Sequence, residues 1–128
     1  MDKSDVGRRG EDIALEYLLQ LGMLLIVKNW HSGHKELDLV MEDANLIRFI
    51  EVRTRTYPNN IDPAESVNLL KQKNIIFAAK GFLMSRDIKN RFNERLRGKE
   101  FVFDVVSILL NGDNYKITYI KNAFGPTW

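Results

Sequence analysis

The sequence predicts a mixed α/β fold in the order α-β-β-β-α-β-β, a mixed sheet flanked by helices. Three observations predict it. Apolar residues at helical spacing open the chain, three short apolar runs follow, and a long helical stripe separates them from two more runs. Elements listed in that order bury their apolar faces by packing as layers around one sheet.

The first helix runs from about Asp5 to Gln20, with Ile13, Ala14, Tyr17, Leu18 and Leu21 on one stripe. Gly22 stands where a helix stops. Met23 to Val27 is a continuous apolar run and reads as a buried strand entering Asn29-Trp30. Strands over Glu36–Met41 and Leu46–Thr54 flank the polar turn Glu42-Asp43-Ala44-Asn45, which makes them a hairpin. Tyr57 to Pro63, with two prolines and two asparagines, is a loop. A long helix then spans Glu65 to Met84, with Lys71, Ile75, Ala78 and Phe82 along one line. Arg86 to Gly98 is polar and fits either a helix or a loop. Phe101–Leu110 and Tyr115–Ile120 are strands joined by the turn signal Asn111-Gly112-Asp113.

A chain of 128 residues fits one domain over 1–128 and can bury a real core. It contains no cysteine, which excludes disulfides, thiolate zinc sites and cysteine nucleophiles. His31 and His34 match no zinc spacing and read as exposed loop residues. No apolar stretch is long enough to span a membrane, and no secretory core follows the polar start, so a cytoplasmic location is the default. The net charge of +2 is a weak hint of an anionic partner. Basic residues crowd Arg86–Lys99, which reads first as a solvated face and second as a phosphate-tracking surface.

The chemistry lies in Glu36-Leu37-Asp38-Leu39-Val40 and Phe49-Ile50-Glu51-Val52-Arg53. Charged side chains rarely sit in such apolar runs without a partner or a metal. Strand side chains alternate faces, so Glu36 and Asp38 share one face of the first run and Glu51 and Arg53 share one face of the second. Paired as a hairpin, the two strands gather three carboxylates and a guanidinium on one patch. Such a patch has the composition of a divalent-metal site built from hard oxygen ligands, magnesium being the usual ion. The same alternation also fits a pair of acids on a solvated hairpin face.

Other residues carry two readings each. Glu11 is a first-turn acid favoured by the helix dipole, or a group reaching the metal or its water. Arg53 and Arg55 offer forked donors to a phosphate, or pair across strands with Glu36 or Asp38. Lys71 snorkels to solvent, or aims its ammonium at the acidic patch. Asp104, another acid in an apolar run, reads as the partner of an arginine before it reads as a ligand.

In that order, Gly7-x-x-Gly10-Glu11, Glu36-x-Asp38, Glu51-x-Arg53 and Lys71 resemble the YraN-like family of small bacterial proteins. That family looks like a branch of the PD-(D/E)XK nuclease superfamily, similar to archaeal Holliday-junction resolvases. The resemblance runs from Val6 to about Ile108 and takes in Ser66-Val67 and Phe103-Asp104-Val105-Val106. It implies a restriction-endonuclease-like core with metal-binding acids on the central hairpin. Asp38 and Glu51 fall on the two acidic positions, with the Val52 carbonyl as a third metal donor. Glu11 falls on the first-helix glutamate, and Lys71 is a further catalytic candidate. Arg53 falls where the catalytic lysine usually stands, and arginine cannot take a proton from water.

The resemblance thus implies a magnesium- or manganese-dependent endonuclease acting on nucleic acid, specifically branched or structured DNA. The alternative is a catalytically inactive nucleic-acid-binding module of the same fold. Junction-cutting enzymes of this core tend to be dimers, which leaves a homodimer open.

Overall fold

The computed structural model describes residues 2–126. Helix α1 spans Lys3–Gln20, and strands β1 (Leu24–Ser32), β2 (Lys35–Asp43) and β3 (Leu46–Thr56) follow. A short 3₁₀ turn at Pro63–Glu65 leads into α2 (Leu69–Met84) and α3 (Arg86–Leu96). Strands β4 (Glu100–Asn111) and β5 (Asn114–Phe124) complete the chain. The five strands form one sheet in the order β1-β2-β3-β4-β5. Only β3 and β4 run parallel, because α2 and α3 carry the chain back between them. The result is the mixed sheet flanked by helices that the sequence predicts.

Alternation divides the core between two faces. On one, α1 sets Ala14 and Leu18 against Leu39, Met41, Ile50, Val106 and Ile108. On the other, α2 and α3 set Ile75, Ala78, Phe82 and Ile88 against Val40, Ile47, Phe49 and Phe103. Rings of Trp30 and Phe49 meet Phe82 edge-on, while Phe103 stacks on Phe49.

Several boundaries depart from the sequence reading. The second long helix begins at Leu69, not Glu65, because Asn68 caps it by accepting the Lys71 amide at 2.9 Å. Asp62 caps the separate 3₁₀ turn before it. Arg86–Leu96 is a helix capped by Ser85, which adds an element to the expected order. The run from Met23 is not wholly buried: β1 is an edge strand and Leu24 is exposed. Leu21 is exposed too, since the helix has ended before it. His31 lies on β1, not in a loop, and is exposed as expected.

Asp104 is fully buried and is the partner of an arginine. Arg48 donates to it at 3.0 Å, and the Tyr119 hydroxyl and Asn122 amide also donate to its carboxylate. The Arg48 Nε–H donates to Asp43 at 2.9 Å. This network ties β3 to β2, β4 and β5 and includes neither Asp38 nor Glu51. A buried charge left without its partner is costly. Arg48→Met is therefore expected to lower unfolding free energy by about 3–5 kcal/mol in urea denaturation. A loss below about 1 kcal/mol would show that Asp104 is satisfied without the guanidinium.

Candidate metal and phosphate site

The β2–β3 ladder ends at the pair Leu39↔Ile50, just short of Asp38 and Glu51. Beyond it the Asp38 carboxylate, not a β2 carbonyl, accepts the Val52 amide at 2.8 Å. Regular alternation fails at the same place: Leu37 and Val40 both pack on the α2 face, although three steps separate them. Asn29 lies between Lys28 and Trp30, the β1 partners of Leu39 and Leu37, and its φ of 52° is left-handed. Two neighbouring strands thus bend around Asp38 and open a cleft at the strand ends.

The cleft encloses about 770 Å³. Glu11 from α1, Asp38 from β2, Glu51, Val52 and Arg53 from β3 and Lys71 from α2 all line it. Every site residue singled out from the sequence therefore reaches one cavity. Glu36 and Arg55 line it as well. Asp104, His34 and the Arg86–Lys99 run lie elsewhere. Within that run, Arg95 and Lys99 are turned to Glu42.

Asp38 and Glu51 are buried at 7% and 3% exposure. Burial, then the adjacent Asp38 carboxylate with which it shares a hydrogen bond, push Glu51 up to about 9. The Lys71 ammonium stands 3.6 Å from Glu51 and pulls the other way, as does Arg53, but neither offsets that rise. Glu11 is pushed up to about 7 by burial, and then by the negative charge of Asp38, Glu36 and Asp12. Without a cation the cleft holds more acid than it can ionise.

The donors suit a hard divalent ion. A strand residue sends its N–H and C=O toward the same neighbour, so the Val52 carbonyl leaves β3 on the edge where Asp38 sits. Among the described residues no three or more histidine, aspartate and glutamate side chains converge as a metal cage. Two carboxylates and a carbonyl leave the rest of the shell to water and substrate oxygens, a partial protein shell of the kind magnesium uses.

Two contributors escaped the sequence reading. Lys3 lines the cleft from the start of α1, and Lys28 lowers Glu11 from the opposite side. Isolated lysines carry no pattern that would mark them. Gly10 was visible, since glycine inside a helix costs about 1 kcal/mol and invites a reason. The reason is contact: a Cβ there would lie 1.8 Å from the Thr54 hydroxyl oxygen. Gly10 lets α1 lie against β3 and so places Glu11 at the cleft.

Arg55 has a different task from Arg53. It donates to Asn59, the Ile61 carbonyl and Ser107, holding the loop after β3 against β4. No salt bridge within 4 Å joins Arg53 to Glu36 or Asp38.

Fold and cleft together define a mixed α/β domain of restriction-endonuclease-like layout, with paired acids at the open ends of its central strands. The profile described as the uncharacterised protein family UPF0102 matches residues 10–108. A UPF0102 protein of Clostridium botulinum strain Kyoto is 35% identical over 122 residues, covering 94% of each chain. Another, from Chloroherpeton thalassium, is 37% identical over 118 residues, covering 92% of this chain and 81% of the relative. The chain belongs to the UPF0102 family, the YraN-like proteins.

Two outcomes follow from the geometry. Glu51 holds a proton in the folded state that the unfolded chain releases near pH 4.5, so its contribution to stability falls as pH rises from there toward 9. Glu51→Gln cannot ionise. In chelator it is expected to melt above wild type by roughly 4 °C at about pH 8 and by less at about pH 5. Equal melting temperatures at both pH values would mean that the acid pair is not strained. Gly10→Ala is expected to cost about 1–3 kcal/mol by overpacking. Thr54→Gly in the same chain should recover part of that loss in urea denaturation, and simple additivity would contradict the contact.

Proposed function

We propose that the chain is a metal-dependent nucleic-acid phosphodiesterase acting on branched or otherwise structured DNA. The observation that carries this reading is the buried Asp38–Glu51 pair, open to a cleft that Arg53 and Lys71 also line. Acids that need a cation, set beside fixed positive charge, suit a substrate that is itself a phosphate diester. The resemblance to junction resolvases supports DNA as its source.

A magnesium or manganese ion, when bound, would polarise a phosphate oxygen and lower the pKa of a water. Asp38, Glu51 and the Val52 carbonyl are the residues that would hold it. Arg53 would bind non-bridging phosphate oxygens through its forked donors. Lys71, freed from Glu51, would stabilise charge building on the phosphate. Glu11, set near neutrality, is suited to relay a proton through water.

Arg53 also favours a second reading. A guanidinium stays protonated, so the residue at the usual lysine position cannot act as a base. A module that grips nucleic acid without cutting it would keep the cleft and lose the chemistry. The experiment is cleavage of junction, flap and single-stranded DNA with magnesium or manganese. Asp38→Ala should lower the rate at least about a hundredfold. Salt-dependent binding without cleavage, by both wild type and Arg53→Lys, would overturn the phosphodiesterase in favour of the binding module. Undiminished cleavage by Asp38→Ala would place the activity elsewhere.

A further inference from the structure

Helix α2 turns one face to the sheet and leaves another in water. The inner face carries Ile75, Ala78 and Phe82 into the core and delivers Lys71 to Glu51. The outer face shows Leu70, Lys73, Phe77 and Met84, all exposed. Phe77 is the aromatic member of that face, a phenyl ring 55% exposed. It is also held in place: the Lys35 ammonium sits over the ring, 4.3 Å from its centroid. Lys35 immediately precedes Glu36, which lines the acidic cleft.

Charge narrows the choice of partner. The whole of α2 contains lysines 71, 73 and 80 and no aspartate or glutamate. An aromatic face bordered by ammonium groups is suited to a nucleobase, with the lysines following the phosphates. It is poorly suited to an acidic peptide, which gains nothing from the ring. Phe77 lies six steps beyond Lys71, about 9 Å along the helix axis and about a third of a turn around it. A strand with one phosphate at Lys71 would have to pass round the helix to set a base on Phe77, a path that an unpaired strand is free to take.

We propose that Phe77, bordered by Lys35 and Lys73, is a stacking platform for a nucleobase of the strand that enters the Glu51–Lys71 cleft. The inference rests on the reading of that cleft as a nucleic-acid site, and it adds that the substrate has an unpaired base close to the bound phosphate. A fully paired duplex keeps its bases inside the stack and cannot use the ring. Flaps, junction arms with frayed bases and single strands can.

The test uses the full chain and Phe77→Trp, with wild type supplying the background of Trp30 and Trp128. Titration with a single-stranded oligonucleotide should quench the new indole. Removing bases from the same oligonucleotide, leaving abasic sugars, should remove the quenching. Phe77→Ala should weaken binding about tenfold, and Lys35→Gln should weaken it less. The ring is exposed, and unchanged melting curves will establish that the variants are folded.

Absence of base-dependent quenching, or unchanged affinity in Phe77→Ala, overturns the platform. Cleavage that persists in either case leaves the phosphodiesterase reading standing. Quenching without metal-dependent cleavage does the reverse, supporting the platform while the phosphodiesterase fails. Self-association of the free protein that Phe77→Ala abolishes, with no quenching by oligonucleotide, overturns the proposal by assigning the face to a second copy of this chain.

Discussion

The site depends on one hydrogen bond. Where β2 would continue its ladder along β3, the Asp38 side chain takes the Val52 amide instead. That substitution satisfies a donor that would otherwise lose its partner, so the strands can part without leaving it unpaired. Parting is what opens the cleft. It also fixes one carboxylate oxygen against the backbone and sets the whole carboxylate beside Glu51, inside a region too apolar to solvate both charges. The left-handed Asn29 on β1 and the broken alternation at Leu37 are the deformations that go with it.

Everything around that bond manages its charge. Lys71 reaches Glu51 because Asn68 starts α2 at the right residue and puts the lysine in its first turn. Glu11 reaches the cleft because Gly10 lets α1 approach Thr54. Arg53 and Lys3 add positive charge to the cavity walls. The second charged cluster, Arg48 with Asp104, is saturated by Tyr119, Asn122 and Asp43, and so serves the fold alone. The contrast separates the two acids buried on neighbouring strands. Asp104 has an arginine and two further donors. Glu51 has one partly exposed lysine and a competing carboxylate.

Much of this was legible from the sequence. Acids at Asp38, Glu51 and Asp104 were conspicuous because each interrupts an apolar strand, and the polar turn signal over Glu42–Asn45, which the structure narrows to Ala44-Asn45, fixed which strands would meet. The convergence of Glu11 and Lys71 was not legible from periodicity. It came from a resemblance in motif order, because helix placement on a sheet depends on contacts such as Gly10 to Thr54 that span the chain. Helix α3 stayed ambiguous because its charged surface hides a stripe reduced to Ile88, Phe92 and Leu96. Regular alternation also misled in detail. It places Asp38 and Glu51 on defined faces, whereas the Asp38 carboxylate turns within the sheet to accept the Val52 amide of β3.

Diffraction from crystals soaked in manganese, recorded for its anomalous signal, probes the pairing at the heart of this account. A single peak within bonding distance of both Asp38 and Glu51, with the Val52 carbonyl as a third protein donor, is the predicted result. Density at only one of the two carboxylates, or none at the strand ends while manganese binds elsewhere, would contradict it.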